Sequence, residues 1–326
     1  MTELVALDIG GTHARFALTS VAEDGTIALG DPVTLKTSDF VSLQTAWEEF
    51  ESRTGRTLPR AAAIAIAGPV TGETIRMTNN SWVIRTGQID EQLGVDRFTV
   101  INDFGAVAHA VARADEDQFV PITGPDKPLP SSGTVSVIGP GTGLGVAHLH
   151  RFPGSYHVQA TEGGHIDFAP VDHIDDAILA RLRARHRRVS TERIVSGPGI
   201  VDIHATLASM EHRKIEDLDD RTIWERGLAN EDALCSAAID RFCLALGSVS
   251  GDYALAHGAS AVVLAGGLGL RLKAILPQSG FASRFRYKGR YEQMMAGIPV
   301  KLIAHPQPGL FGAAAAFSRE HLATLM

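Results

Sequence analysis

Val5-Ala6-Leu7-Asp8-Ile9-Gly10-Gly11-Thr12-His13-Ala14-Arg15-Phe16-Ala17-Leu18 is the stretch that decides the reading of this chain. Its plan returns in the second half as Val137-Ile138-Gly139-Pro140-Gly141-Thr142-Gly143-Leu144-Gly145-Val146-Ala147. In each, an apolar run enters glycines and a threonine and leaves as a second apolar run, which predicts strand, tight turn, strand. Glycine lets backbone N–H groups close on a ligand with no Cβ in the way. Successive N–H groups in such turns form a concavity suited to phosphate oxygens. One such turn in each half predicts a nucleotide triphosphate held between two lobes.

Outward from these turns the chain alternates strand and helix signals. Residues 39–53 have helical spacing through Phe40, Leu43, Trp47 and Phe50. Ala62 to Ala67 and Phe98 to Ile101 are short apolar runs of buried-strand type, and Ala106 to Ala112 is helical. Residues 124–132 form a Pro/Gly/Ser-rich loop. Helical patterns follow over 174–188 and 231–257, with a break at Ser196-Gly197-Pro198-Gly199. Ala261 to Leu264 and Pro299 to Ile303 are strands, and Gly312 to Leu325 is a closing helix. This order predicts an α/β protein with mixed sheets flanked by helices, two similarly built lobes and one cleft.

The 326 residues correspond to about two domains. A net charge of −7 gives no general attraction to nucleic acid or to an anionic membrane, so phosphate binding must be local. Cys235 and Cys243 lie eight residues apart in a helical stretch, roughly 12 Å along its axis, too far for a disulfide. They read as buried free thiols of a reducing cytoplasm. No signal sequence precedes Val5, and no unbroken apolar run suits a membrane span. The sequon Asn79-Asn80-Ser81 reads as a chance match.

Commoner nucleotide and hydrolase signatures are missing. There is no Gly-Lys dipeptide, hence no Walker P-loop, and Leu144 occupies the sixth position of a would-be GxGxxG. HRD, GxSxG and HExxH do not occur. Asp8, at the end of the first strand, suits Mg²⁺ held through water, or else caps a turn. Asn102-Asp103 ends an apolar strand, where α/β sheets bind ligands. A carboxylate there suits removal of a hydroxyl proton, and either residue also suits a helix cap. Glu162-Gly163-Gly164-His165 and the later Glu192 offer the mixed donors and acceptors that a polyhydroxylated substrate needs. Glu192 is also a natural first-turn acid of a helix. The run Arg181, Arg183, Arg185, Arg187 and Arg188 reads as a solvated helix face.

Taken in order, these motifs resemble the bacterial glucokinases. The resemblance rests on Asp8-Ile9-Gly10-Gly11-Thr12 with Arg15, on Ile101-Asn102-Asp103-Phe104 and on Gly139 to Gly145. It rests further on Glu162-Gly163-Gly164-His165-Ile166-Asp167-Phe168-Ala169-Pro170, on Ser196 to Gly199 and on Ala265-Gly266-Gly267. It runs from Leu4 to Pro308-Gly309-Leu310. It implies a two-lobed actin-like ATPase (ribonuclease H-like) fold, with a smaller lobe of 1–108 plus 305–326 and a larger lobe of 109–304. Gly10, Gly11, Thr12 and Arg15 would then belong to the first phosphate turn, and Gly141, Thr142 and Gly143 to the second. Gly266 and Gly267 would border the adenosine. Asp103 would be the catalytic base, with Asn102, Asp103, Glu162, His165 and Glu192 on the hydroxyls of D-glucose.

The resemblance also implies ATP with Mg²⁺, hinges near 104–108 and 305–309, a cytoplasmic homodimer, and the first step of glycolysis. His13 departs from the asparagine frequent in relatives, at a position that faces the turn. The cysteine-rich zinc motif and the helix-turn-helix extension of the related repressor/kinase group are not seen. Kinases of other hexoses, a phosphohydrolase, and a non-catalytic ATP-dependent regulatory protein of the same fold remain as alternatives.

Overall fold

The computed structural model describes residues 1–77, 80–214 and 217–322. Asn79 of the sequon and residues 323–325 of the expected closing helix lie outside them. Two six-stranded sheets carry the fold, one in each of two compact units. The first unit is Met1–Ala114 with the segment from His305 onward, and the second is Asp115–Ala304.

The first unit runs β1 (Thr2–Ile9), β2 (His13–Val21), β3 (Ile27–Leu29), β4 (Val33–Lys36), α1 (Leu43–Thr54) and β5 (Ala61–Ile66). It continues with the small hairpin β6 (Thr74–Arg76) and β7 (Val83–Arg85), then α2 (Ile89–Leu93), β8 (Arg97–Asn102) and α3 (Asp103–Arg113). Its sheet has the order β3-β2-β1-β5-β8, with β4 also on β2. β1 is buried on both faces, so its alternation separates two cores rather than core from solvent. Val5, Leu7 and Ile9 pack with Trp47 and Phe50 of α1, whereas Leu4 and Ala6 face a layer rich in alanine.

The second unit begins with β9 (Phe119–Thr123), β10 (Gly133–Pro140), β11 (Leu144–Phe152) and β12 (Ser155–Thr161). The helices α4 (His173–Arg183), α5 (Gly199–Met210), α6 (Asp220–Leu228) and α7 (Ala233–Ala256) follow. Then come β13 (Ala259–Leu264), α8 (Gly266–Arg271), α9 (Phe281–Arg286), α10 (Glu292–Ala296) and β14 (Val300–Ile303). Its sheet has the order β12-β11-β10-β13-β14-β9. Both sheets thus share one plan: an antiparallel hairpin around a glycine turn, then two parallel strands beside its first strand.

α7 is long and apolar enough to cross a membrane by length and composition, although no unbroken apolar run was evident. Here it is a core helix, with 72% of its apolar window buried and α5, α6 and α9 packed on it. Cys235 and Cys243 both lie on it as buried free thiols, and burial pushes the Cys243 thiol up to about 12.

The chain returns to the first unit as α11 (Pro308–His321). α11 packs along α3, and Ala106, Ala313 and Ala314 share the apolar layer with Phe317. The expected boundary at 108 and the hinge at 104–108 therefore fall inside a regular helix, and the first unit continues to Ala114.

Other boundaries moved for local reasons. α1 starts at Leu43 because Ser42 and Thr45 form a capping box, and residues 37–39 make a separate 3-10 turn. α3 starts at Asp103 rather than Ala106 because Asn102 caps it. α4 ends at Arg183, so Arg185, Arg187 and Arg188 lie beyond the helix.

Candidate active site

In the first unit, the parallel strands β1, β5 and β8 end side by side. The register sets Ile9 beside Ile66, and Ile66 beside Asn102. Neighbouring strands lie about 4.8 Å apart, so the ends of β1 and β8 are separated by roughly 10 Å. Asp8 stands on one of these strands and Asp103 just past the other. Asp8 faces Arg15 across the β1–β2 hairpin, and Arg15 Nη1 donates to its Oδ2 at 3.3 Å. The Asp8 side chain is only 22% exposed, and burial raises its pKa, opposed by Arg15. The first turn is closed by the Gly10 N–H donating to the His13 carbonyl at 2.9 Å. Thr37 braces it, with Oγ1 on the Gly11 carbonyl at 2.8 Å and N–H on the Thr12 carbonyl at 3.0 Å. A Cβ on Gly309 would stand 2.7 Å from the Asp8 carboxylate, so the first turn of α11 lies directly against it.

Asn102 is the helix cap. Its Oδ1 accepts from the N–H groups of Phe104 at 2.9 Å and Gly105 at 3.0 Å, while Nδ2 donates to the Gly68 carbonyl at 3.0 Å. These bonds leave one amide hydrogen for a ligand. Asp103, half-buried in the first turn of α3, accepts from the Phe104 N–H through Oδ1 at 2.8 Å. The metal-holding Asp-Phe-Gly triplet of protein kinases, which the sequence reading counted as absent along with HRD, is in fact spelled by Asp103-Phe104-Gly105. Here the triplet opens a capped helix.

In the second unit, Gly141, Thr142 and Gly143 form the turn between β10 and β11. The Gly141 carbonyl accepts from Gly197 N–H at 2.7 Å, which draws the Ser196–Gly199 break against the turn. Gly266 opens α8 beside it at φ 84°, and Ala265 N–H donates to the Ile138 carbonyl at 2.9 Å. Gly267 follows in the first turn of α8. A hollow of about 370 Å³, lined by Arg221, Trp224, Glu225 and Leu228 of α6 and Arg271 of α8, lies between those helices.

Glu162, Gly163, Gly164 and His165 form a short turn that crosses the start of β11, with Gly163–His165 in 3-10 conformation. The crossing is too close for a side chain, since a Cβ on Gly164 would lie 2.2 Å from the Leu144 carbonyl oxygen. Gly164→Ala should therefore destabilise the protein by about 1–3 kcal/mol and displace the turn. A thermal melt checks the first effect and amide hydrogen exchange over the turn the second.

Thr161 Oγ1 bridges this turn to the Val146 carbonyl, and Tyr253 donates its hydroxyl to the Gly163 carbonyl at 2.6 Å. Burial holds the Tyr253 phenol up at about 12, so it remains a donor at working pH. Glu162 and His165 themselves face outward, with side chains 63% and 58% exposed and Oε2 to Nε2 at 3.8 Å. Glu192 belongs to the 3-10 turn Thr191–Arg193 and reaches back to the glycine turn, where its Oε2 accepts from Leu144 N–H at 2.8 Å.

The expected residues thus fall into two groups. Asp8, Gly10, Gly11, Thr12, Arg15, Asn102 and Asp103 lie at one end of the first unit's sheet. Gly141, Thr142, Gly143, Glu162, His165, Glu192, Gly266 and Gly267 gather around the glycine turn of the second.

A family model described as Glucokinase matches residues 4–320. A glucokinase of Zymomonas mobilis is 56% identical over 319 residues, which cover 98% of each chain. The chain belongs to the glucokinase family. Membership makes it a sugar kinase. Among solved structures, a glucokinase from an Antarctic psychrotroph gives a TM-score of 0.86 at 34% identity, covering 98% of this chain and 99% of that one. A ROK family glucokinase from Streptomyces griseus, in complex with glucose and AMPPNP, shares the fold at a TM-score of 0.63 and 19% identity, with 96% and 98% covered.

Against this glucokinase background, the supports that sequence reasoning missed stand out. Arg188 was grouped with a solvated face, yet its Nη2 donates to the His165 carbonyl at 2.7 Å and its Nε pairs with Asp167 at 2.6 Å. Tyr253 lies in an apolar helical stretch, where its hydroxyl gave no signal of a partner 90 residues away.

Proposed function

We propose that this chain transfers the γ-phosphoryl group of ATP to the 6-hydroxyl of D-glucose on an actin-like ATPase scaffold. The observation that carries this reading is that β1 and β8, one on each side of β5, end at the same level of the sheet. This sets a half-buried carboxylate just before a glycine turn, Asp8, roughly 10 Å in backbone terms from a second carboxylate, Asp103. That spacing suits one group that handles phosphate and another that handles the attacking hydroxyl. Asp103 orients the 6-hydroxyl and takes its proton as the new O–P bond forms. Phosphoryl transfer leaves little covalent work for a protein, so positioning and charge stabilisation dominate.

Asp8 fits a magnesium ion borne by the nucleotide. It is a single carboxylate on a phosphate turn, and Mg²⁺ commonly takes one or two carboxylates together with phosphates and waters. Among the described residues no group of three or more His, Cys, Asp or Glu side chains gathers into a cage. The ion, when bound, neutralises charge on the transferring phosphate. Arg15 keeps Asp8 aimed, the two glycine turns receive the phosphates, and Gly266 and Gly267 border the adenosine.

Glu162, His165, Glu192 and the remaining amide hydrogen of Asn102 hold the sugar hydroxyls. Glu162→Gln should raise the glucose KM roughly tenfold or more and the ATP KM far less, read from initial rates with each substrate varied in turn. Equal effects on both would place Glu162 outside the sugar site. We also assign the protein to the cytoplasm, where its two buried free thiols stay reduced, and to a homodimer serving the first step of glycolysis.

The decisive experiment measures ADP release from Mg-ATP by purified protein, alone and with glucose, mannose, fructose or N-acetylglucosamine. Release that requires glucose, with glucose 6-phosphate formed in equal amount, is the expected result. Release without any sugar would indicate an ATPase, and preference for another sugar would reassign the acceptor.

A further inference from the structure

The carboxylate of Glu192 sits on the wall of a turn that suits anions. Its Oε2 takes the Leu144 N–H at 2.8 Å, and a Cβ on Gly143 would stand 2.4 Å from the same oxygen. Gly143 is not among the glycines with positive φ. A side chain at position 143 would have to push the Glu192 carboxylate aside. The same glutamate is held in register with the sugar turn. Thr191 donates its N–H at 2.8 Å and its hydroxyl at 3.2 Å to the carbonyl of Ile166, which follows His165 directly. Ile194 and Val195 N–H groups close back on the Thr191 carbonyl at 3.1 and 2.8 Å. Glu192 therefore belongs both to the block that carries Glu162 and His165 and to the glycine turn.

We propose that Glu192 couples the two substrates, acting as the group through which the sugar tightens the hold on nucleotide. The inference rests on the assignment of phosphates to residues 141–143 and of sugar to the Glu162–His165 turn. Without sugar, the carboxylate occupies a turn amide and repels an incoming phosphate. A sugar hydroxyl donates to the carboxylate in a charge-assisted bond and competes with Leu144 N–H for it. Once the carboxylate is drawn off, the phosphate meets a bare amide and less negative charge. Because coupling of binding is reciprocal, nucleotide tightens sugar by the same factor. The arrangement also limits the hold on ATP when only water is present to attack it.

The test is titration of the intact protein with Mg-AMPPNP, with and without saturating glucose. In the wild type, glucose should tighten AMPPNP about tenfold, within the usual range of such couplings. In Glu192→Gln, which removes the charge at constant shape, sugar-free AMPPNP binding should itself tighten about tenfold. Glucose should then add less than about twofold. Glu192→Asp, too short to reach the Leu144 N–H, should shift sugar-free binding in the same direction, and serves if the glutamine variant fails to fold.

Wild-type sugar-free affinity in the folded Glu192 variants would overturn the coupling role, as would a wild type in which bound glucose leaves AMPPNP affinity unchanged. A separate glucose titration keeps the two readings apart. Failure of the wild type to bind glucose removes the sugar assignment, whereas intact glucose binding with unaltered AMPPNP affinity in Glu192→Gln removes only the coupling.

Discussion

Asp103→Asn should lower kcat about a thousandfold while the glucose dissociation constant changes by no more than a few-fold. The substitution is nearly isosteric. Asparagine retains an oxygen for the Phe104 N–H, which Asp103 Oδ1 holds at 2.8 Å. The helix start does not depend on it, because Asn102 supplies the cap through two bonds to Phe104 and Gly105. The amide oxygen still accepts a hydrogen bond from a sugar hydroxyl, so binding survives. It does not take up the proton released as oxygen attacks phosphorus. The loss therefore belongs to turnover, and kcat from steady-state rates together with calorimetric glucose binding separates the two. Near wild-type turnover would exclude Asp103 as the base, and loss of binding in step with turnover would make it a sugar ligand alone.

That division of labour between neighbours was only half legible in the sequence. Asn102-Asp103 after an apolar strand pointed to both capping and catalysis, and the structure puts the cap on Asn102, which leaves Asp103 to the base role we propose. The glycine turns were legible for a related reason. Apolar alternation on both sides of Gly10-Gly11-Thr12 and of Gly141-Thr142-Gly143 fixes a hairpin whatever the rest of the chain does. The ends of α1, α3 and α4 were not legible, because caps and long-range bonds move them against the propensity of the intervening residues. The structural side of Glu192 was hidden for the same reason. Its nearest polar partner, Leu144 N–H, lies 48 residues away and is a backbone group, which carries no sequence signal. Arg188 is solvated, as its run suggested, with 58% of its side chain exposed, but its pairing was not legible because only the fold brings His165 and Asp167 to it.

Asp8→Asn should abolish most of the turnover, by about a hundredfold or more given the size of electrostatic contributions to such transfers, and yet leave the protein at least as stable at neutral pH. Burial raises the pKa of Asp8 and Arg15 offsets only part of the shift. The sign follows from the direction. A carboxyl whose folded value is raised contributes its stability below the unfolded value, ordinarily 3.8, and loses it as pH rises through the folded value. The ionised group is therefore a cost to the fold, one that the role we propose for Asp8 at the nucleotide phosphates accounts for. Asparagine removes that cost, and Arg15, with 43% of its side chain exposed, turns to water. The melting temperature of Asp8→Asn should equal or exceed that of the wild type near pH 7.5, and the difference should shrink as pH falls toward 3.8. Added Mg-AMPPNP should then raise the melting temperature of the wild type more than that of the variant, because a ligand stabilises in proportion to its affinity. A clear drop in the variant's melting temperature would make Asp8 a structural partner of Arg15 and of the first turn of α11. Unchanged turnover would remove it from phosphate handling altogether.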